Sequence, residues 1–310
     1  MARDTPARAE PTDSVSRLVR LARLAGEVDV RCLLAGSFTL DNPAAAPGIV
    51  PFHLVLDGRC TVTSGASAVP MEPGDVVLLP HGDAHRVLAT AGPQLPVTEE
   101  PGLVFATHRT PGAEPQLDLF CGHYRFDQGA GALLFRLMPP LVHVSLDAPA
   151  RTLAEVLRGE ARSPGPGTSA IIAALLDALL AMVLRSRPEQ RPETAGLWTA
   201  LGDDVLGRVL AAVVERPGEA WTIDRLAADA AVSRATFLRR FAARTGTTVA
   251  AMVTAIRMMV AADLLSRGEH SVTRVANDVG YRSESAFGQA FRAALGTTPA
   301  QYRRDAVARR

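Results

Sequence analysis

The 310-residue chain is long enough for two domains of roughly 100–200 residues each. Its hydrophobic share of 47% and charged share of 21% are those of a globular protein and exclude overall disorder. The longest apolar run, Ala170 to Leu184, is interrupted by Asp177 and falls short of the about 20 residues a membrane span needs, so no membrane partner is expected.

The first fourteen residues, MARDTPARAEPTDS, carry acids and prolines and no apolar signal core. Cys32, Cys60 and Cys121 are too few and too scattered for a disulfide framework or a paired-cysteine zinc site. Both features predict a cytoplasmic protein. The net charge of +1 conceals an asymmetry, and every one of the 33 basic residues is arginine. Residues 201–310 hold 16 arginines against 11 acids, and from Ala230 onward there are 13 against 5. A basic tail behind a neutral-to-acidic front points to a polyanionic partner.

In chain order, residues 13–25 predict a short amphipathic helix capped by Asp13 or Ser14, with Val15, Leu18, Leu21 and Leu24 on one face. From Val28 to about Phe105, short apolar runs alternate with turns at Asp57-Gly58, Ser64-Gly65 and Pro73-Gly74. That texture predicts an antiparallel sandwich or barrel. Residues 117–147 read as further strands around a loop.

Arg151–Arg158 and Thr168–Arg187 are helical by period. The second has stripes at Ile171, Leu175, Leu179, Val183 and at Leu176, Leu180, Leu184, so it needs more than one partner surface, either a second subunit or the strand domain. The stretch 186–196 is polar and holds two prolines, so it reads as a linker, with 188–202 as the segment between the domains.

The tail repeats one outline. In TIDRLAADAAVSRATFLRRF (222–241), Thr222 caps a helix that buries Leu226, Ala227 and Ala230. Ser233 caps the next helix, with Phe237 and Phe241 inward at i, i+4. In VTRVANDVGYRSESAFGQAF (272–291), Val275 and Ala276 are buried, Gly280 turns the chain and Ser283 caps. Phe287 and Phe291 repeat the pair. Between them, Thr248–Arg267 predicts a helix ended by Gly268. At 1.5 Å per residue it is a strut of roughly 30 Å. That span sets two recognition helices over adjacent major-groove turns, which lie about 34 Å apart.

These segments, closed by Gly296, Pro299, Tyr302 and Arg303 of G-x-x-P-x-x-Y-R, resemble the AraC/XylS-type DNA-binding domain over Asp203–Arg304. The helix wheel and the resemblance together put Ala235, Leu238, Arg239, Glu284, Ser285 and Gln289 toward base edges. Of these, Arg239 is suited to guanine, Gln289 to adenine and Glu284 to cytosine. Arg234, Thr236, Arg240, Arg282 and Arg292 are placed for phosphates. Ala235, Leu238 and Gly288 are apolar at or beside the reading face, a departure from richer members.

In the front half, GDVVLLPHGDAH (Gly74, Pro80, Gly82, His85) resembles the second cupin motif, and HLVLDG (53–58) the end of the first. Registered on Gly58, Pro51 stands where the metal-binding Glu belongs, and Ala44-Ala45-Ala46 stand near the two His. Only His85 keeps a family ligand position. His53 falls on the inward strand face, and His81 and His143 are further candidates.

The site set is therefore His53, His81 and His85 for a ligand or divalent metal, with no cofactor expected. Cys32, Cys60 and Cys121 are either inert core thiols or redox-active; Arg125 and His123 beside Cys121 are placed to lower its pKa.

The resulting expectation is an α+β protein. Residues 1–187 form a cupin-like antiparallel β barrel with following helices, 188–202 a linker, and 203–310 an all-α domain with tandem helix-turn-helix motifs. The expected function is a non-enzymatic, homodimeric transcription regulator that binds double-stranded promoter DNA, contacts RNA polymerase, and senses a small molecule or redox signal. The rivals are a cupin metal enzyme tethered to DNA-binding helices, and a constitutive binder whose barrel only dimerises.

Overall fold

The computed structural model describes residues 13–126, 129–186 and 195–308. Helix α1 (Ser14–Ala22) is capped by the Asp13 carboxylate, which accepts from the Ser16 amide. It leads into β1 (Leu24–Leu34), which starts four residues earlier than the hydropathy pattern predicts.

Two sheets follow. The larger holds β1, β3 (Ile49–Gly58), β6 (Asp75–Leu78), β8 (Thr98–Glu100), β9 (Ala106–Arg109), β10 (Leu117–Phe126) and β11 (Val142–Ser145), in the order β11-β6-β3-β10-β1-β9-β8. The smaller holds β2 (Phe38–Asn42), β4 (Cys60–Ser64), β5 (Ser67–Met71) and β7 (His85–Ala89), in the order β2-β7-β4-β5. Pairing is antiparallel except between β1 and β9, which run parallel.

The larger sheet is buried on both faces, so β3 reads as a nearly continuous buried run. On β3, Val55 joins the core between the sheets, while Val50, Phe52, Leu54 and Leu56 face the helices behind. Those helices are α3 (Ala148–Arg162) and α4 (Thr168–Arg185), which cover the outer face with Leu153, Leu157, Leu176, Leu179 and Leu180. Helix α4 passes so close over β1 that a Cβ on Gly26 would lie 2.6 Å from the Leu176 Cβ.

A bulge in β1 between Val28 and Val30 shifts its register against β10. Val28 packs with the outer core and Cys32 and Leu34 with the inner one, although all three share sequence parity. The bulge therefore aims Cys32 into the barrel.

The described residues of 117–147 are not only strands around a loop. Helix α2 (Ala130–Arg136) buries Leu133, Leu134 and Phe135. Of the expected linker, 188–194 lies outside the described residues. The rest contains a short helix α5 (Leu197–Leu201), whose Leu197 and Trp198 are buried, with Trp198 Nε1–H donating to the Val183 carbonyl at 3.1 Å.

The tail is all helix: α6 (Leu206–Glu215), α7 (Ile223–Asp229), α8 (Arg234–Thr245), α9 (Val249–Arg267), α10 (Val272–Asp278), α11 (Glu284–Leu295) and α12 (Pro299–Ala308). The expected caps at Thr222, Ser233 and Ser283 are made, Thr248 caps α9 instead of lying inside it, and Gly268 ends α9 in the left-handed region.

Helix α9 is buried along Val249, Met252, Val253, Ile256, Met259 and Val260, and on its other side as well. Met258, Ala261, Ala262 and Leu265 share one core with Leu18, Leu21 and Ala22 of α1 and Leu133 and Leu134 of α2. Both α4 and α9 have the length and apolarity of a membrane span; α9 is largely buried here as the central helix, and α4 is packed on β1.

The two helix-turn-helix turns differ in one respect. Gly280 takes φ +84° in the second, whereas Ala231 takes φ +54° in the first. An L side chain in that region costs about 1–2 kcal/mol. Ala231→Gly is expected to raise the unfolding free energy by about 1 kcal/mol, less the entropy glycine adds to the unfolded chain, as read by urea denaturation.

Candidate nucleic-acid interface and barrel centre

Helices α8 and α11 are the second helices of the two motifs, and their phenylalanine pairs are fully inward. This leaves Ala235, Arg239, Ser285 and Gln289 exposed on the outward faces, with Arg282 and Arg292 exposed beside them. Glu284 is exposed but its carboxylate accepts from Thr273 Oγ1 at 2.7 Å, which turns it toward α10.

Leu238 is half-buried against the hydrophobic core. Thr236 is occupied in the cap: its amide donates to Ser233 Oγ, and Ser233 Oγ–H donates to its hydroxyl. Arg234 reaches Asp224 at 2.6 Å in an exposed pair.

Arg240 departs furthest from the phosphate role. Its Nε and Nη2 clasp Asp203 at 3.0 and 2.8 Å, and Arg244 joins at 3.3 Å. Asp203 also accepts from the amides of Val205 and Leu206 at the start of α6. Burial pushes the Asp203 pKa up, but the hydrogen bonds from Arg240 and the two amides outweigh it and hold the group below the ordinary carboxylate range.

Sequence reasoning also missed Arg257, which joins the two motifs from α9. It donates to the carbonyls of Pro217 and Glu219 at 2.9 and 2.8 Å and lies over the Tyr281 ring. A lone arginine among the apolar residues of α9 was the available signal.

Inside the barrel the candidates separate. His81 is exposed and meets the Met138 carbonyl, and His143 meets Asp75 at 3.1 Å. His53 and His85 converge, with their Nε2 atoms 2.7 Å apart. Among the described residues no group of three or more His, Cys, Asp or Glu side chains is arranged to hold a metal ion. Two imidazoles with Pro51 in the carboxylate's place do not make a divalent-ion donor set.

The cysteines separate too. Cys60 lies on the smaller sheet, and burial pushes its thiol up to about 12. Cys32 and Cys121 lie on adjacent strands with their sulfurs 4.0 Å apart. His123 and Arg125 do not serve Cys121, because they pair with Asp29 and Glu27. The pKa of Cys121 is raised, by its hydrogen bond to Cys32 and by burial, and is not lowered as its sequence neighbours suggested.

This arrangement, a β barrel joined to two capped reader helices on one strut, is that of a DNA-binding protein with an attached barrel domain. Residues 13–187 match a cupin family and residues 226–305 a helix-turn-helix domain family. The regulator MtrA of Neisseria gonorrhoeae is 32% identical over 301 residues, covering 94% of this chain and 98% of that one. The Escherichia coli K12 activator RclR, named RCS-specific, is 29% identical over 297 residues, covering 94% and 97%.

Among solved structures, the DNA-binding domain of AdpA in complex with a target DNA is 39% identical over 35% of this chain and 97% of that one, with a TM-score of 0.33. The chain belongs to the AraC family of DNA-binding transcription regulators, in the group whose amino-terminal half is a cupin domain.

Proposed function

We propose that this regulator works in the cytoplasm as a homodimer without enzymatic turnover. Its barrel receives a small-molecule or redox signal and changes how α8 and α11 engage a promoter. The observation that carries the reading is the shared core of α1, α2 and α9: the helices flanking the barrel grip the same strut that spaces the readers. A signal that favours one barrel state then shifts the population of DNA-competent readers, to the extent that the two states bind it differently.

Supporting the dimer, α4 leaves Ile171 exposed and Leu175 half-buried on its outer side. The absence of a usual cupin ligand set from the sequence positions of the barrel favours a sensor over a metal enzyme. Contact with RNA polymerase is part of the same reading.

Genomic footprinting by the full-length protein, with and without added oxidant or metabolite extract, tests it. Footprints are expected to change with the signal; footprints identical under every condition would favour a constitutive binder. Arg234, Arg282 and Arg292 supply about three phosphate contacts per subunit. Affinity is then expected to fall roughly 40-fold per subunit between 50 and 200 mM salt. A flat salt titration would contradict the interface.

A further inference from the structure

The barrel centre holds a line of groups that DNA binding does not use. Cys32 on β1 stands opposite His108 on β9 in register, and His108 Nε2 meets Glu99 at 3.1 Å. The Cys32 sulfur is 4.0 Å from that of Cys121, Cys121 is 3.2 Å from His53 Nδ1, and His53 Nε2 is 2.7 Å from His85 Nε2. His85 Nδ1 lies 2.9 Å from the Asp83 carbonyl. His85 also lines an open cleft of about 450 Å³ at the barrel mouth, together with Asp41, Asn42, Thr63 and Arg86.

The hydrogen-bond roles along this line follow from its end. A carbonyl only accepts, so His85 carries its proton on Nδ1 and presents a bare Nε2. His53 therefore donates from Nε2, and its Nδ1 lone pair faces the Cys121 thiol. Both imidazoles are held neutral, His53 by burial and by His85, down to about 3, and His85 by burial.

We propose that Cys32 and Cys121 are a redox pair in which Cys32 attacks a hydroperoxide, Cys121 resolves it to a disulfide, and His53 takes the Cys121 proton. The inference rests on the sensor reading above and names its signal. Cys32 is suited to attack because its pKa is drawn down to about 6, first by the Cys121 hydrogen bond and then, against burial, by His108. His108 is raised to about 9 by Cys32 and Glu99 and is the paired cation. The other charged or titratable groups that face the pair are Asp118, which is held by Arg31 and Arg158, and Asp29 and Cys60.

In the first step the Cys32 thiolate forms an S–O bond as the O–O bond breaks, and the departing alkoxide takes a proton from His108. Cys121 has one proton and two acceptors. Once Cys32 is oxidised it is no longer an anion, and His53 Nδ1 is the acceptor left. Cys121 then attacks the Cys32 sulfur: the S–S bond forms, the S–O bond breaks, and the hydroxide that leaves is neutralised to water by the proton that Cys121 gives up, once the imidazole pair has released it to solvent. The thiol proton moves to His53 Nδ1, the His53 Nε2 proton moves to His85, and the charge reaches the cleft. The two sulfurs together lose the two electrons that reduce the peroxide. The sulfurs close from 4.0 Å to about 2.05 Å.

The test uses the full-length Cys60→Ser protein. Thiolate absorbance at 240 nm is expected to titrate with a midpoint near pH 6 and to vanish in Cys32→Ser. Hydrogen peroxide is expected to give a Cys32–Cys121 disulfide by peptide mass mapping. His53→Asn keeps a hydrogen-bonding group near Cys121 but no base. It is expected to leave the thiolate titration unmoved, to slow disulfide formation at least tenfold, and to accumulate a Cys32 sulfenic acid that dimedone traps.

Disulfide formation at the wild-type rate in His53→Asn overturns the role of His53. Survival of the thiolate in Cys32→Ser, or no disulfide from the wild-type pair, overturns the assignment of the pair. A disulfide that forms as described while the DNA footprint stays the same instead refutes the sensor reading and leaves this chemistry standing.

Discussion

Replacing Arg239 by alanine is expected to erase discrimination at one base pair of each half-site, at a cost of about 1–3 kcal/mol, or roughly 5–150-fold in affinity for the preferred base. The expectation rests on three features of α8. The cap at Ser233 fixes where the helix starts, the buried Phe237 and Phe241 fix its rotation, and Arg239 is exposed on the side they leave outward. A guanidinium there presents two parallel donors to guanine O6 and N7. Binding to a panel of single-base operator variants reads the effect. An equal loss across all variants would mean that Arg239 holds a phosphate. Arg240→Ala serves as the contrast, because its partner is Asp203; it should lower stability and leave base preference in place.

Asp203→Ala is expected to destabilise the reader domain strongly although it touches no DNA. The carboxylate is buried and takes two arginines and two helix-start amides. Breaking a fully buried pair costs about 3–5 kcal/mol. Here both guanidiniums still reach water, so the expected loss is about 2–3 kcal/mol by urea denaturation.

The pH dependence has a definite sign. Since the folded pKa of Asp203 lies below its unfolded value, its contribution is complete above roughly pH 4. It is lost as pH falls through the folded value. The acid limb of the stability curve should therefore be shallower in Asp203→Ala than in the wild type.

Much of this architecture can be read from the residues, and the failures have physical causes. The reader domain was legible because caps and paired phenylalanines are local signals: Thr222, Ser233 and Ser283 all cap as their spacing implies. The pairing of Arg240 with Asp203 was not legible because the two lie 37 positions apart, beyond any local pattern. Leu238 sits at the edge of the buried face, where a helix wheel does not separate a base contact from a packing residue.

Helix α2 was missed because Gly129, Gly131 and the Pro139-Pro140 pair bound a run too short for its period to show. In the barrel, strand alternation placed His53 inward. Its meeting with Cys121 depends on the β3–β10 register, and the aim of Cys32 on a bulge; neither is written in a single strand.

The double burial of α9 limits how such regulators can be recombined. A reader domain cut free of α1 and α2 would uncover the apolar strip of α9 that they pack against, and would leave Asp263 without Arg23, its partner from the barrel side at 3.2 Å. Chimeras that graft these reader helices onto another sensor need to bring both small helices along or repaint that strip. Fusion points drawn at the interdomain segment alone should yield proteins that clump.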